Sequence, residues 1–322
     1  MAHWADRREA SGGVWQMKLV YRLYRILGLA RIRLLLHGIV FFFFLFAPAV
    51  RRISRSFLTA ITDVTGRPVP TWRSIYRHFY CFSFALLEKV AAWGGDIRAA
   101  ELIPRGPDIN PLVKQLREKH GAVILCSHLG NTEMLRALGT LEAGRTLPSF
   151  GIQSIVEFSG TARFNRLLEE INPESMVRLI SAAAVGPETV ISLSDSLKTG
   201  DLVIIAADRT AAGNRGKTLP VRFLGREAHF PIGAFMLAHV LESPIYHMFA
   251  VRKDDLDLRS PYEFHVFQSR VLLTGGRQNR MINVQALMNE YIAHLEALCR
   301  LHPYQWYNFY DFWHHPVEPG IK

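Results

Sequence analysis

Between Gly121 and Glu133 the chain reads Gly-Ala-Val-Ile-Leu-Cys-Ser-His-Leu-Gly-Asn-Thr-Glu. Residues 123–126 are apolar at every position, without the alternation of a strand that is wet on one face. A strand of this kind is buried on both faces, inside a parallel sheet covered by helices. It leads into Ser127-His128, so an imidazole stands at the carboxyl end of the strand, where open α/β sheets bind their ligands. Gly130-Asn131 can turn the chain into a helix, with Asn131 as the cap and exposed N–H groups able to meet an anion. Glu133 follows one helical turn after His128. A carboxylate so placed can fix the tautomer of a histidine and stabilise the imidazolium it forms as a base. The same residues also fit a capped surface helix beside a structural histidine.

The rest of the chain extends this pattern. After Gly94-Gly95, expected helices at 110–119, 131–142, 159–171, 188–199, 231–241 and 281–301 alternate with expected strands. The strands fall at 123–126, 148–152, 176–180, 202–207, 245–251 and 262–271. Alternation of this kind predicts an α/β fold: a central, mostly parallel sheet flanked by helices. Trp72, Ile75, Phe79, Phe82, Leu86 and Val90 recur at helical spacing and predict an amphipathic helix over 71–93. Gly66-Arg67-Pro68-Val69-Pro70 separates that helix from an earlier helical stretch. The expected division is 1–58, membrane-associating helices, and 59–322, the α/β domain.

The first 55 residues hold ten Lys and Arg against two acids, Asp6 and Glu9, which accounts for most of the net charge of +10. A basic arm meets nucleic acid or an anionic membrane. Here it also contains Phe41-Phe42-Phe43-Phe44 within an apolar run of roughly 17 residues, at the short limit for a membrane span. Phenylalanines between arginines fit a lipid surface and argue against nucleic acid. Arginines on both sides favour a helix lying in, or dipping into, one leaflet. A buried core helix is the alternative. The run starts too late for a secretory signal and has no small-residue cleavage site. Cys81, Cys126 and Cys299 are widely spaced and odd in number, which predicts neither a disulfide framework nor a metal site and suits a reducing cytoplasm.

A second apolar strand, residues 202–207, ends at Asp208-Arg209 and a basic, glycine-containing loop with Arg215 and Lys217. If the two strands are parallel neighbours, Asp208 lies near His128. Arg209 could then bind a phosphate or polarise a thioester carbonyl with its fixed fork of donors; a structural Asp208–Arg209 ion pair fits equally. Gly216-Lys217-Thr218 comes close to a nucleotide-binding loop, but the first glycine is missing and a strand follows where a helix is required. Residues 221–233 predict a strand, a turn at Gly225 and a helix entered through Pro231 and Gly233. There is no G-x-S-x-G elbow, no H-E-x-x-H and no cysteine knuckle, and His314-His315 has no neighbouring ligands in the sequence. No metal or cofactor is expected.

Ordered matches extend over almost the whole chain: His3-Trp4 with Arg7-Arg8-Glu9, Ala47-Pro48 with Arg51-Arg52, Ser127-His128-Leu-Gly-Asn-Thr-Glu133 and Ala207-Asp208-Arg209-Thr210. They continue with Phe223-Leu-Gly225, Phe230-Pro231-Ile-Gly233, Ser243-Pro244 and Pro303-Tyr-Gln-Trp306-Tyr-Asn308-Phe-Tyr-Asp311-Phe312-Trp313. In these the chain resembles the lipid A biosynthesis (lauroyl/myristoyl) acyltransferase family, within the H-x4-D/E acyltransferases, and most of all the branch associated with glycosyltransferases. The resemblance implies a glycerol-phosphate acyltransferase-like fold on the cytoplasmic face of the inner membrane. It implies an acyl carrier protein or acyl-CoA donor, a lipid or glycolipid acceptor and no nucleic acid partner. It implies His128 as general base supported by Glu133. Asn131, Asp208, Arg209, Arg215, Lys217 and Gly225 would bind substrate, with Asp208-Arg209 at the second motif. The rivals are a non-catalytic membrane-binding protein of the same fold and a thioesterase-like hydrolase.

Overall fold

The computed structural model describes residues 14–93, 102–132, 134, 150–156, 177–209, 217–255, 257, 259–273, 276, 278–309 and 312–313. The helices expected at 131–142 and 159–171 lie almost wholly outside them. Helices open the chain: α1 (Val14–Phe46), interrupted by a kink at Gly28 (φ 71°, ψ 166°), α2 (Pro48–Thr65) and α3 (Trp72–Trp93). Strand β1 (Leu102–Arg105) and helix α4 (Ile109–Arg117) lead to β2 (Ala122–Cys126), β3 (Ile152–Val156) and β4 (Val177–Ser181). Helix α5 (Pro187–Lys198) enters β5 (Leu202–Ala206), then β6 (Thr218–Phe223), β7 (Arg226–Pro231) and α6 (Gly233–Val240). Strands β8 (Ile245–Arg252) and β9 (Tyr262–Gln268) and the long helix α7 (Arg280–Leu301) follow.

Seven strands form one sheet in the order β1-β9-β8-β2-β5-β3-β4, with β6 and β7 as a separate hairpin. Every neighbouring pair in the large sheet is parallel except β8 and β9. The central pair, β2 and β5, is apolar throughout because it is covered on both faces. Val123, Leu125, Val203 and Ile205 point into one core with α2, α3, α5, α6 and α7. Ala122, Ile124, Cys126, Leu202 and Ile204 point into the other, with Leu112 and Leu116 of α4. This is the two-residue period of a strand expressed as two cores.

Three details differ from the pattern read in the sequence, the first being β1, an edge strand that the pattern does not contain. The strand expected at 148–152 begins only at Ile152, where the Leu202 amide donates to the Gly151 carbonyl at 2.9 Å and pairing with β5 starts. The helix expected from 231 is preceded by β7. Leu224 and Gly225 both take positive φ, 50° and 74°, and this two-residue turn folds β7 back on β6. Ala228 and Phe230 then face inward while Glu227 stays exposed.

The apolar arm divides its own surface. Val40 is buried, and Leu36 and Phe44 pack on the main core, with the Phe44 ring edge-on to Tyr76 and Phe79 of α3. Phe41, Phe42, Phe43, Leu45 and Phe46 are exposed, Phe46 by 70%. The core reading therefore holds for one stripe of α1 only. Among the described residues no single helix is long and apolar enough to cross a membrane; residues 31–46 and α2 together are, but they bend by 95°. Arg51 sits at the bend, donating to the Phe44 and Leu45 carbonyls, and so closes the end of α1. Residue 58 falls in the middle of α2, whose Phe57, Leu58 and Ile61 belong to the main core.

After β2 the chain passes through Gly130 at φ 70°. A Cβ here would stand 1.9 Å from the Ala250 carbonyl oxygen of β8. Gly130→Ala is therefore expected to lower stability by at least about 2 kcal/mol, from the backbone conformation and the clash together. Thermal unfolding of the purified protein measures this, and an unchanged midpoint would contradict the close approach.

Candidate active site

Pairing of β2 with β5 matches Cys126 to Ala206. His128 and Asp208 each lie two residues further along, so the register alone brings them together. The His128 Nδ1 and Asp208 Oδ1 atoms are 2.7 Å apart, and the His128 amide donates to Asp208 Oδ2 at 2.9 Å. The indole Nε1 of Trp306 donates to the same Oδ2 at 3.1 Å. The Asp208 side chain is completely buried, whereas 29% of the His128 side chain is open.

The electrostatics assign the protons. Burial works to raise the Asp208 pKa, but the His128 and Arg209 charges and the bonds from His128 outweigh it, and the net direction is down. Asp208 is thus ionised and acts as acceptor only, so Nδ1 of the imidazole carries the hydrogen. Nε2 is left as the basic nitrogen. Burial, with the charge of Arg209, holds the His128 pKa below its ordinary value, although Asp208 pulls the other way. At neutral pH the imidazole is neutral and able to take a proton.

A segment far away in sequence completes the site. Gln305, Trp306, Tyr307 and Asn308 run beside the His128 loop: the Gly130 amide donates to the Gln305 carbonyl at 2.8 Å and the Tyr307 amide to the His128 carbonyl at 2.9 Å. Arg209 is held by this segment, its Nε donating to Asn308 Oδ1 and one terminal nitrogen to the Tyr307 carbonyl, each at 2.7 Å. The segment is anchored in turn from α3. His78 Nε2 lies 2.9 Å from the Trp306 carbonyl, and Ser54 of α2 lies 2.8 Å from Nδ1. Burial pushes His78 down to about 4, so its neutral ring donates through Nε2 and accepts from Ser54.

The other residues singled out in the sequence are spread more widely. Asn131 is fully buried, and its backbone amide donates to the Ala250 carbonyl at 2.8 Å. Lys217 is exposed at the foot of the β6–β7 hairpin, where its carbonyl accepts from Ile232. Gly225 lies at the tip of that hairpin, against Val64 of α2. Glu133 and Arg215 are outside the described residues. Trp306, Tyr307 and Asn308 were visible in the sequence only as part of a family-like ending. No group of three or more His, Cys, Asp or Glu among the described residues could hold a metal ion.

The model of one protein family, described as bacterial lipid A biosynthesis acyltransferase, matches residues 7–315. No curated protein matches the chain.

If Asp208 fixes the imidazole, Asp208→Asn should reduce turnover by roughly 10²–10⁴-fold, the scale of losing a positioned base. Removing the carboxylate also removes a charge that raises the His128 pKa. The acid limb of kcat/KM in the wild type should therefore lie below the ordinary histidine value, and the residual activity of the variant should have its limb lower still. A limb that rises in Asp208→Asn would contradict this electrostatic role.

Proposed function

Since this chain belongs to the bacterial lipid A biosynthesis acyltransferase family, and its reaction is acyl transfer to a lipid acceptor, we propose a direct O-acyl transfer with His128 as base. The donor in this reading is an acyl thioester on acyl carrier protein or coenzyme A. The acceptor is a hydroxyl of a lipid or glycolipid at the cytoplasmic face of the inner membrane. The observation that carries the base assignment is the 2.7 Å contact of His128 Nδ1 with a wholly buried Asp208. Nε2 takes the acceptor proton as the oxygen attacks the thioester carbonyl. Asp208 offsets the positive charge on the ring. The tetrahedral intermediate then expels the thiolate, which recovers the proton from Nε2, giving ester and thiol.

Arg209, clamped by Asn308 and the Tyr307 carbonyl, is a donor held in fixed orientation for the oxyanion. Arg215, Lys217 and Asn131 stay in the proposal as substrate-side or loop-supporting residues, and Gly225 as the residue of a tight turn. Asp208 meets the requirement for a carboxylate on Nδ1. Glu133 stays in the proposal as the supporting acid of the H-x4-E spacing.

His128→Ala should abolish transfer and leave the fold unchanged, a loss on the order of 10²–10⁴-fold. Glu133→Gln should reduce kcat more than it changes thioester affinity, as an interaction made mainly in the transition state does. The assay is transfer from a labelled acyl thioester in membranes, with circular dichroism of each variant. Wild-type transfer by His128→Ala would refute the reading. Release of free fatty acid with no acylated lipid would favour a hydrolase.

Membrane attachment is proposed through the exposed face of α1, with Arg52 and Arg55 of α2 exposed nearby in sequence. Replacing Phe41, Phe42, Phe43 and Phe46 by Ser should turn salt-resistant binding to anionic vesicles into salt-sensitive binding, because apolar insertion is not screened. Co-sedimentation at low and high salt tests this; complete release of the wild type by salt would exclude insertion.

A further inference from the structure

Helices α1 and α3 run antiparallel, as their side-chain contacts show in order. Arg33 lies over the Phe84 ring, His37 stacks on Tyr80 at 4.1 Å, and the Phe44 ring meets Tyr76 at 5.5 Å. The Phe46 end of α1 therefore lies at the same end of the pair as the start of α3. There the chain bends by 95° into α2. Helix α2 meets α3 at His78, where Ser54 is 2.8 Å away. Trp72 comes six residues before His78, so it stands about 9 Å beyond that crossing, at 1.5 Å per residue.

Trp72 continues the stripe of α3 that packs on α1, since positions 72, 76 and 79 share one helical face. Phe44 is edge-on to Tyr76 and Phe79, but α1 ends at Phe46 and Trp72 is left 62% exposed. Val69, just before it, is 75% exposed. The corner that presents both is stiff. Pro68 and Pro70 fix their own φ angles. The Thr62 hydroxyl donates to the Pro68 carbonyl at 3.2 Å. Thr71 and Ser74 cap α3 reciprocally, the Thr71 amide donating to the Ser74 hydroxyl at 2.8 Å and the Ser74 amide to the Thr71 hydroxyl at 3.4 Å. One exposed apolar residue calls for no explanation. Here two are held outward at the same end of the helix pair as the open rings of Phe42, Phe43 and Phe46.

The charge around this corner is cationic. Arg67 and Arg73 are exposed, and Arg73 lies over the Trp72 ring at 5.5 Å. The only acid between residues 10 and 87 is Asp63, which pairs with Arg226 at 2.8 Å. An indole beside arginines suits a membrane–water boundary, where the ring meets apolar chains, its N–H stays wet and the cations meet lipid phosphate. We propose that the corner at 67–73 is a second lipid contact, in which Val69 and Trp72 enter the headgroup region of an anionic leaflet beside the Phe46 end of α1. The proposal rests on the membrane attachment through α1 and adds to it a contact on a different helix. Two contacts on different helices define an orientation on the membrane that one alone leaves open.

The test uses the full chain with a polarity-sensitive fluorophore on single introduced cysteines: Trp72→Cys, Phe46→Cys, and Lys114→Cys of α4, on the opposite face of the sheet from α2 and α3. The native Cys81, Cys126 and Cys299 are buried. The probe is vesicles of phosphatidylglycerol, with a soluble acidic acyl carrier protein as comparison. Labels at 72 and 46 should both shift to the blue and lose access to iodide on the vesicles, and the label at 114 should do neither. In the unlabelled protein Trp72→Ser should weaken partitioning roughly tenfold at low and high salt alike, the scale of burying part of an aromatic side chain. Trp72→Phe, which keeps an apolar ring, should lose less. Arg67→Gln combined with Arg73→Gln should weaken partitioning roughly tenfold at low salt and little at high salt, as screened charges do. A label at 72 that stays in water while the label at 46 enters lipid would overturn this proposal and leave the α1 attachment standing. If neither enters, both fall. A shift at 114 as large as that at 72, or Trp72→Ser partitioning like the wild type, would overturn it as well. A shift at 72 with the carrier protein and not with vesicles would make the corner a protein-docking site and overturn the lipid assignment. Partitioning needs no turnover, so it is decided separately from the activity of His128→Ala.

Discussion

The buried Asp208 carboxylate is the constraint around which the rest of the structure is arranged. An ionised carboxylate removed from water is costly unless charge and hydrogen bonds replace its hydration. Here the replacements come from three parts of the chain: the His128 ring and amide after β2, Arg209 beside it, and the Trp306 indole near the C-terminus. Each partner is thereby fixed in position. The tautomer of His128 and the placing of the Trp306 indole follow from satisfying this one group, and the segment that carries Trp306 in turn orients Arg209 through Asn308 and the Tyr307 carbonyl.

The polar contacts of the N-terminal helices reach the same centre. Ser54 and His78 link α2 and α3 to the Trp306 carbonyl, and Glu88 links α3 to Arg252 at the end of β8. Gln305 brackets Arg252 by accepting from its amide and donating to its carbonyl. Helices α2 and α3 are therefore joined through buried polar bonds to the segment beside the His128 loop, and α1 packs on α3 through Phe44.

Much of this was legible in the sequence for local reasons. Uniform apolarity marked β2 and β5 as central strands, and helical periodicity marked α3 and α7. The end-of-strand position drew attention to His128 and Asp208. The hairpin at Leu224-Gly225 was only partly legible, since a leucine at positive φ is not what turn chemistry suggests. The apolar run of α1 fitted both lipid and core because its composition is the same on the face that packs on α3 and on the face that does not.

The sequence by itself determined that a histidine and an acid would each end a buried parallel strand in a family of acyl-transferring proteins, because strand burial and strand ends are local properties of the chain. Only the tertiary structure decided which carboxylate holds the imidazole. That choice depends on the alignment of Cys126 with Ala206 and on Trp306, which lies 98 residues beyond Asp208. Register and long-range contact arise from packing of the whole sheet against its helices, and no local pattern encodes them.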